Sequence, residues 1–156
     1  MCVRMVEKAT GVPFGQYMYE HVFSKLGLGW PMWEFDCQGH PNGGGGLCLK
    51  LTDMMKVAQV YLADGLWQGE RIVDSSWVKM ASSKQIENTT DDIWVCGYGY
   101  QFWMSPYPNS YRADGAYGQI STVLPESGLV VSVQCPEVGD FDKVKKALHE
   151  MVLSQL

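Results

Sequence analysis

The stretch Cys96–Cys135, CGYGYQFWMSPYPNSYRADGAYGQISTVLPESGLVVSVQC, decides the fold. It reads as three short strands. The first covers Tyr98–Met104. The second starts near Ser110 and runs, with a break at the glycines, to Leu124. The third covers Leu129–Cys135. The separators Ser105-Pro106-Tyr107-Pro108-Asn109 and Pro125-Glu126-Ser127-Gly128 hold residues that preset or tolerate turn dihedrals. At the centre, Gly115 and Gly118 bracket Ala116-Tyr117. A glycine in a strand packs nothing and costs backbone entropy. The pair therefore marks a bulge, or a place where another backbone or a ligand comes close.

Outward from this meander the signals are helical. Met1–Ala9 reads as the end of a helix, with Val3, Met5, Val6 and Ala9 apolar and Gly11 as its stop. Val12–Phe23 reads as a second helix, with Pro13 in its first turn and Phe14, Tyr17, Met18 and Val22 on one face. Trp30–Leu49 reads as loop. Its run Gly43–Gly46 lacks the Gly-Lys-Ser/Thr that a phosphate-binding loop needs, so it reads as a backbone path passing close over a packed surface. Thr52–Ala63 is a helix capped by Thr52 and ended by Gly65, with Met54, Val57, Ala58, Tyr61 and Leu62 inward. Trp67-Gln68-Gly69 is the turn of a small hairpin, and Asp74 caps a helix over Ser75–Ala81. Ser83–Asp92 is polar and exposed. After the strands, Asp140 caps a last helix with Phe141, Val144, Leu148, Met151 and Val152 on one face. Helices, then an antiparallel sheet of about three strands, then a C-terminal helix make an α+β domain. It is read as a single domain over 1–156, mainly helical to residue 95, with the sheet and terminal helix over 96–156.

Composition narrows the function. In 156 residues, 46% apolar content supports a folded core, and 17 acidic against 12 basic residues with no basic run argue against nucleic acid. No apolar run reaches the roughly 18 residues a membrane-spanning helix needs. The five cysteines are odd in number and form no Cys-x-x-Cys, which fits buried thiols in a reducing compartment. Cys37-x-x-His40 with Cys48 lacks a fourth metal ligand. No secretory signal opens the chain, and a Met1 that is the natural start implies the cytoplasm.

The catalytic candidates are few. His21 and His149 fall on helices as boundary or surface residues, and no Gly-x-Ser-x-Gly elbow occurs. Ser76 and Lys79 stand one helical turn apart, the spacing that lets an amine take a hydroxyl proton. Tyr107-Pro108-Asn109 and Asp114-Gly115 follow in the order of a serine–lysine enzyme. Both are short matches, and Trp77 reads as the anchor of the Ser76 helix.

A longer series of matches carries more weight. It comprises Glu7–Gly11, Gly44–Leu47, Thr52–Leu62, Gly65-x-Trp67-x-Gly69, Ser76-Trp77-Val78, Gly97–Trp103 and Ala113–Gln119. In this order the pieces resemble the serine β-lactamase-like superfamily: penicillin-binding proteins, class C β-lactamases, related esterases and 6-aminohexanoate-dimer hydrolases. The esterase and 6-aminohexanoate branch is the nearest. The resemblance covers the C-terminal half of such proteins and implies a partial β-lactamase/transpeptidase-like fold. It implies acyl-enzyme hydrolysis of small ester, amide or peptide-like substrates, without metal or other cofactor. It also implies that the Ser-x-x-Lys and Tyr-x-Asn boxes lie upstream of Glu7, so that the chain alone is inactive. Ser76 and Lys79 match a non-catalytic family helix. The third box falls on Ala113, Asp114 and Gly115, with Ala113 where the family usually has Lys or His. By the same match the Ala116 N–H is one of two oxyanion donors, the other being the N–H of the absent serine, and Tyr117 and Gln119 line the acyl side or pack behind it. Family sheets are completed by N-terminal strands beside the last strand. Leu129–Val133 is then an open apolar edge, and self-association or an N-terminal complementing half is expected there. The alternative is a non-catalytic binding or assembly module that keeps the remnant of the fold.

Overall fold

A computed structural model describes residues 1–88, 90, 92, 94–135 and 141–155, without the side chain of Phe141. The Asp140 cap and the side chain of Phe141 lie outside the described residues, as do Thr89 and Asp91 of the polar stretch. The chain divides into two compact units, Met1–Asp53 and Met54–Leu156.

In the first unit, α1 spans Cys2–Thr10 and ends as its sequence requires: Gly11 takes φ 72° and its N–H bonds the Glu7 carbonyl. The next helix is less regular than its apolar spacing suggests. α2, Phe14–Met18, passes into a π-helical turn over Tyr19–Phe23. The wider turn shifts the inward face, so Phe23, Leu26 and Leu28 are the buried residues while Phe14, Tyr17, Met18 and Val22 are half-buried. The expected loop 30–49 holds a short antiparallel pair, β1 (Met32–Trp33) with β2 (Leu47–Cys48). The glycine run acts as its composition implies. A Cβ on Gly43 would sit 2.7 Å from Val3 Cγ2, and one on Gly46, at φ 75°, would sit 2.6 Å from the Glu34 Cβ.

α3 spans Leu51–Leu62, starting one residue before the expected Thr52 cap and burying Ala58 and Val60. Gly65 ends it at φ 88°, where any Cβ would lie 2.0 Å from the Val73 carbonyl oxygen. β3 (Leu66–Trp67) and β4 (Glu70–Arg71) form the expected hairpin, and α4, Ser75–Ala81, starts at Asp74, whose carboxylate accepts the Ser76 N–H at 2.8 Å.

Among the described residues the main sheet has four antiparallel strands in the order β5 (Trp103–Met104), β6 (Tyr111–Gly115), β7 (Gln119–Leu124), β8 (Leu129–Gln134). The expected first strand shrinks to two residues because Gln101, at φ 65°, turns the chain so that Tyr98 bridges back to Trp103. The expected second strand is two strands, with Gly115 paired to Gln119 across a tight hairpin. Strand alternation sorts the side chains. Tyr111, Val123 and Val130 face α3, where Ala58, Tyr61 and Leu62 join them. Ile120, Leu124, Val131 and Val133 face the C-terminal helix α5, Phe141–Met151, and pack with Trp94, Leu148 and Leu153. Of the apolar face expected on α5, Leu148 is buried and Val144 half-buried, while Met151 is 78% exposed.

Candidate functional site

The candidate residues lie around the β6–β7 hairpin. β5 pairs only with Tyr111 and Arg112, so Ala113–Gly115 form a sheet edge that no described strand covers. Ala113, Gly115 and Gln119 share one face and are solvent-accessible, and Ser121 and Ser132 continue that face with hydroxyls 2.8 Å apart. Ala116, Tyr117 and Gly118 make the turn. The exposed Tyr117 takes φ 71°, a left-handed conformation that a bulky residue adopts only at a cost. Gly118, at φ 89°, presses on the layer behind: a Cβ there would lie 2.9 Å from Cys135 Cβ and 3.2 Å from Val144 Cγ2. The close approach that the paired glycines imply is therefore made by the chain's own β8 end and α5. The Ala116 N–H stands at the exposed tip, and among the described residues no hydrogen bond is made to it.

Asp114 does not join this face. Its side chain points to the other side of the sheet and is buried beside Arg112, whose Nε donates to its carboxylate at 2.8 Å. Arg112 is 3% exposed, and its other nitrogens donate to the Met104 carbonyl at 2.7 Å and the Trp94 carbonyl at 2.9 Å. Its guanidinium lies 5.4 Å from the Trp94 ring centroid and 5.9 Å from that of Trp103. Burial pushes the Asp114 carboxyl up, against the pull of the Arg112 guanidinium. Nearby, Lys145 Nζ meets Asp92 at 3.3 Å and Asp142 at 2.9 Å, and the Trp94 N–H holds the Asp92 carboxyl below its usual range. This layer braces the hairpin from behind. Sequence reasoning missed it, although the Arg-x-Asp spacing puts both side chains on one strand face.

The competing set has structural work. The Ser76 hydroxyl donates to Asp74 as part of the α4 cap. The Tyr107 hydroxyl bonds His149 Nδ1, and both rings pack on Trp94. Asn109, at φ 54°, donates to Glu126 at 2.7 Å. The five cysteines are free, and among the described residues no three His, Cys, Asp or Glu side chains gather as a metal site.

The family model described as Beta-lactamase matches residues 3–150, so the chain belongs to that family, within the serine β-lactamase-like superfamily. Its fold is a partial β-lactamase-like α+β fold. A protein of Bacillus anthracis assigned as a 6-aminohexanoate-dimer hydrolase superimposes with a TM-score of 0.78 at 18% identity, over 98% of this chain and 40% of that one. The octameric penicillin-binding protein homologue from Pyrococcus abyssi matches at 0.71 and 18% identity, over 97% of this chain and 40% of that one. A β-lactamase from Mycobacterium bovis matches at 0.66 and 18% identity, over 95% and 60%. The chain thus spans about half the length of these structures. No curated protein matches it by sequence. Among the described residues no helix is long and apolar enough to cross a membrane.

Proposed function

We propose that this chain supplies the sheet wall of an acyl-enzyme-forming serine hydrolase of the esterase or amidase type, and that it is inactive alone. In that reading the Ala116 N–H is one oxyanion donor, and Ala113, Gly115, Tyr117 and Gln119 line the acyl side of the cleft. Asp114, also assigned to the site by resemblance, acts from behind by fixing the hairpin through Arg112. The observation that carries the reading is the exposed, unbonded Ala116 N–H on a strained hairpin at the uncovered edge of β6. A single donor stabilises little, because the effect needs charge to develop between two donors beside a nucleophile. Ser-x-x-Lys and Tyr-x-Asn boxes on another segment or a second polypeptide complete the cleft. Substrates of the completed site are small esters, amides or peptide-like molecules, handled without metal or nucleic acid.

Treatment with a fluorophosphonate probe or a labelled penicillin, read by intact mass, tests this. The pure chain stays unmodified. Adding a family-derived N-terminal half that carries both boxes gives one adduct, on the added serine, formed faster than on that half alone. An adduct on the isolated chain contradicts the reading.

The second reading is a non-catalytic assembly module, favoured by the outer edge of β8, which pairs with no described strand, and by the apolar groove that Val131 and Val133 form with Val144, Ala147 and Met151 of α5. Under it, neither the chain nor its mixture with the half is labelled, and the exposed edge recruits a second copy or another polypeptide.

A further inference from the structure

Asp114 and Gly118 stand two residues before and two residues after Ala116, and both are tied to α5. Gly118 rests on the helix directly: a Cβ there would come within 3.2 Å of Val144 Cγ2. Asp114 is reached through buried polar groups. Lys145, the next residue of α5, is 7% exposed, and its Nζ meets Asp92 at 3.3 Å. Asp92 accepts the Trp94 N–H at 2.9 Å. The Trp94 carbonyl accepts from Arg112, whose Nε donates to Asp114. Ala116 has no such hold of its own, since among the described residues no hydrogen bond is made to its N–H. A group without a partner stands where its neighbours leave it.

We propose that Val144 and Lys145 are positioning residues that set where the Ala116 N–H stands, Val144 by stopping Gly118 and Lys145 by fixing Asp114 through Asp92, Trp94 and Arg112. The inference rests on the reading of Ala116 as an oxyanion donor and names what places that donor. The two restraints differ in kind. The Val144 contact is steric and limits how far the hairpin sinks toward α5. The Lys145 link is a chain of buried ionic and hydrogen bonds, which has few alternative geometries once its members are desolvated. Both act from the face of the sheet opposite Ala113, Gly115 and Gln119, so neither touches a substrate held on that face. Placement matters because an oxyanion donor works only when its N–H lies about 2.7–3.1 Å from the developing charge, and such precision comes from the groups that support it.

Amide NMR of the isotope-labelled full chain tests the placement without any need for activity. Val144→Ala and Lys145→Met are each expected to shift the Ala116 and Tyr117 amide peaks. Lys146→Met, the next residue on the helix and 73% exposed, is expected to leave them in place. Lys145→Met combined with Asp92→Asn strands no Asp92 charge, and it serves if the single variant does not fold by circular dichroism. With an N-terminal half that carries the serine, the labelled-penicillin adduct should form about tenfold more slowly in Val144→Ala and Lys145→Met at saturating probe, with the half-saturating concentration within about twofold of wild type. Ala116 peaks unmoved in both variants overturn the inference and leave the oxyanion reading standing. Peaks that move equally in Lys146→Met, or that move with no change in adduct rate, overturn it as well. No adduct in any mixture defeats the oxyanion reading and this inference with it, whatever the spectra show.

Discussion

At the scale of residues, the hairpin is held by polar groups that the sheet buries. Arg112 and Asp114 form a pair whose side chains are both more than nine-tenths buried. Replacing Arg112 by Met strands the carboxylate and is expected to cost about 3–5 kcal/mol in denaturant unfolding, and adding Asp114→Asn should recover part of that loss. The pH dependence follows from burial. The folded Asp114 carboxyl titrates above its ordinary 3.8, so the fold binds its proton more tightly than the unfolded chain does. Stability from this group is full below 3.8 and is lost as the pH rises through the folded value. The stability difference between wild type and Asp114→Asn should therefore change in that window and flatten above it; a difference constant with pH contradicts the assignment. Thr122 offers the opposite case. It is fully buried, stands opposite Arg112 in the sheet, and its hydroxyl has no partner among the described residues. Thr122→Val should stabilise the protein by about 1 kcal/mol, raising Tm by about 2–4 °C. A loss of similar size would mean that the hydroxyl holds a water. None of this was legible beforehand. Strand period places Arg112 and Asp114 on one face, but only the pairing register says which face is buried.

At the scale of elements, glycines separate two kinds of constraint. Gly118 has both a left-handed φ and neighbours at 2.9 Å and 3.2 Å, whereas Gly128, at φ 64°, has nothing within 4 Å. Gly128→Ala should cost about 1 kcal/mol from backbone strain alone. Gly118→Ala should cost more, by about 1–3 kcal/mol, because Cys135 and Val144 must move as well. Equal losses would show that the hairpin does not bear on α5. Elements with local punctuation were readable: Gly11, Gly65 and Asp74 set their helix boundaries through φ, steric exclusion and capping. Elements decided by partners were not. The π-helical turn at Tyr19–Phe23 leaves no mark in apolar spacing. The Tyr98–Met104 strand is cut short by a turn over Gly99–Phe102, where Gln101, a residue with a side chain, takes the left-handed φ and Gly99 alone marks the sequence. The inward pattern of α5 was read correctly at Leu148, but Met151 is exposed because no described element covers that stripe.

At the scale of the whole molecule, an ordered series of weak motifs identified the superfamily that the family model and the superpositions support. Three-letter boxes alone pointed to Ser76, Lys79, Tyr107 and Asn109, of which Ser76 caps α4, Tyr107 packs on Trp94 and bonds His149, and Asn109 bonds Glu126. The proposed site was legible only in outline. The matched positions Ala113, Gly115, Ala116 and Gln119 do share an accessible edge, while Asp114 lies behind it. The central claim is that this edge is one lip of a cleft and has no nucleophile of its own. Steady-state hydrolysis of a p-nitrophenyl ester and of nitrocefin by the pure chain, beside its Ser76→Ala variant, tests it most directly. The account predicts that both proteins match the buffer rate. Turnover by the wild type that disappears in Ser76→Ala would contradict it.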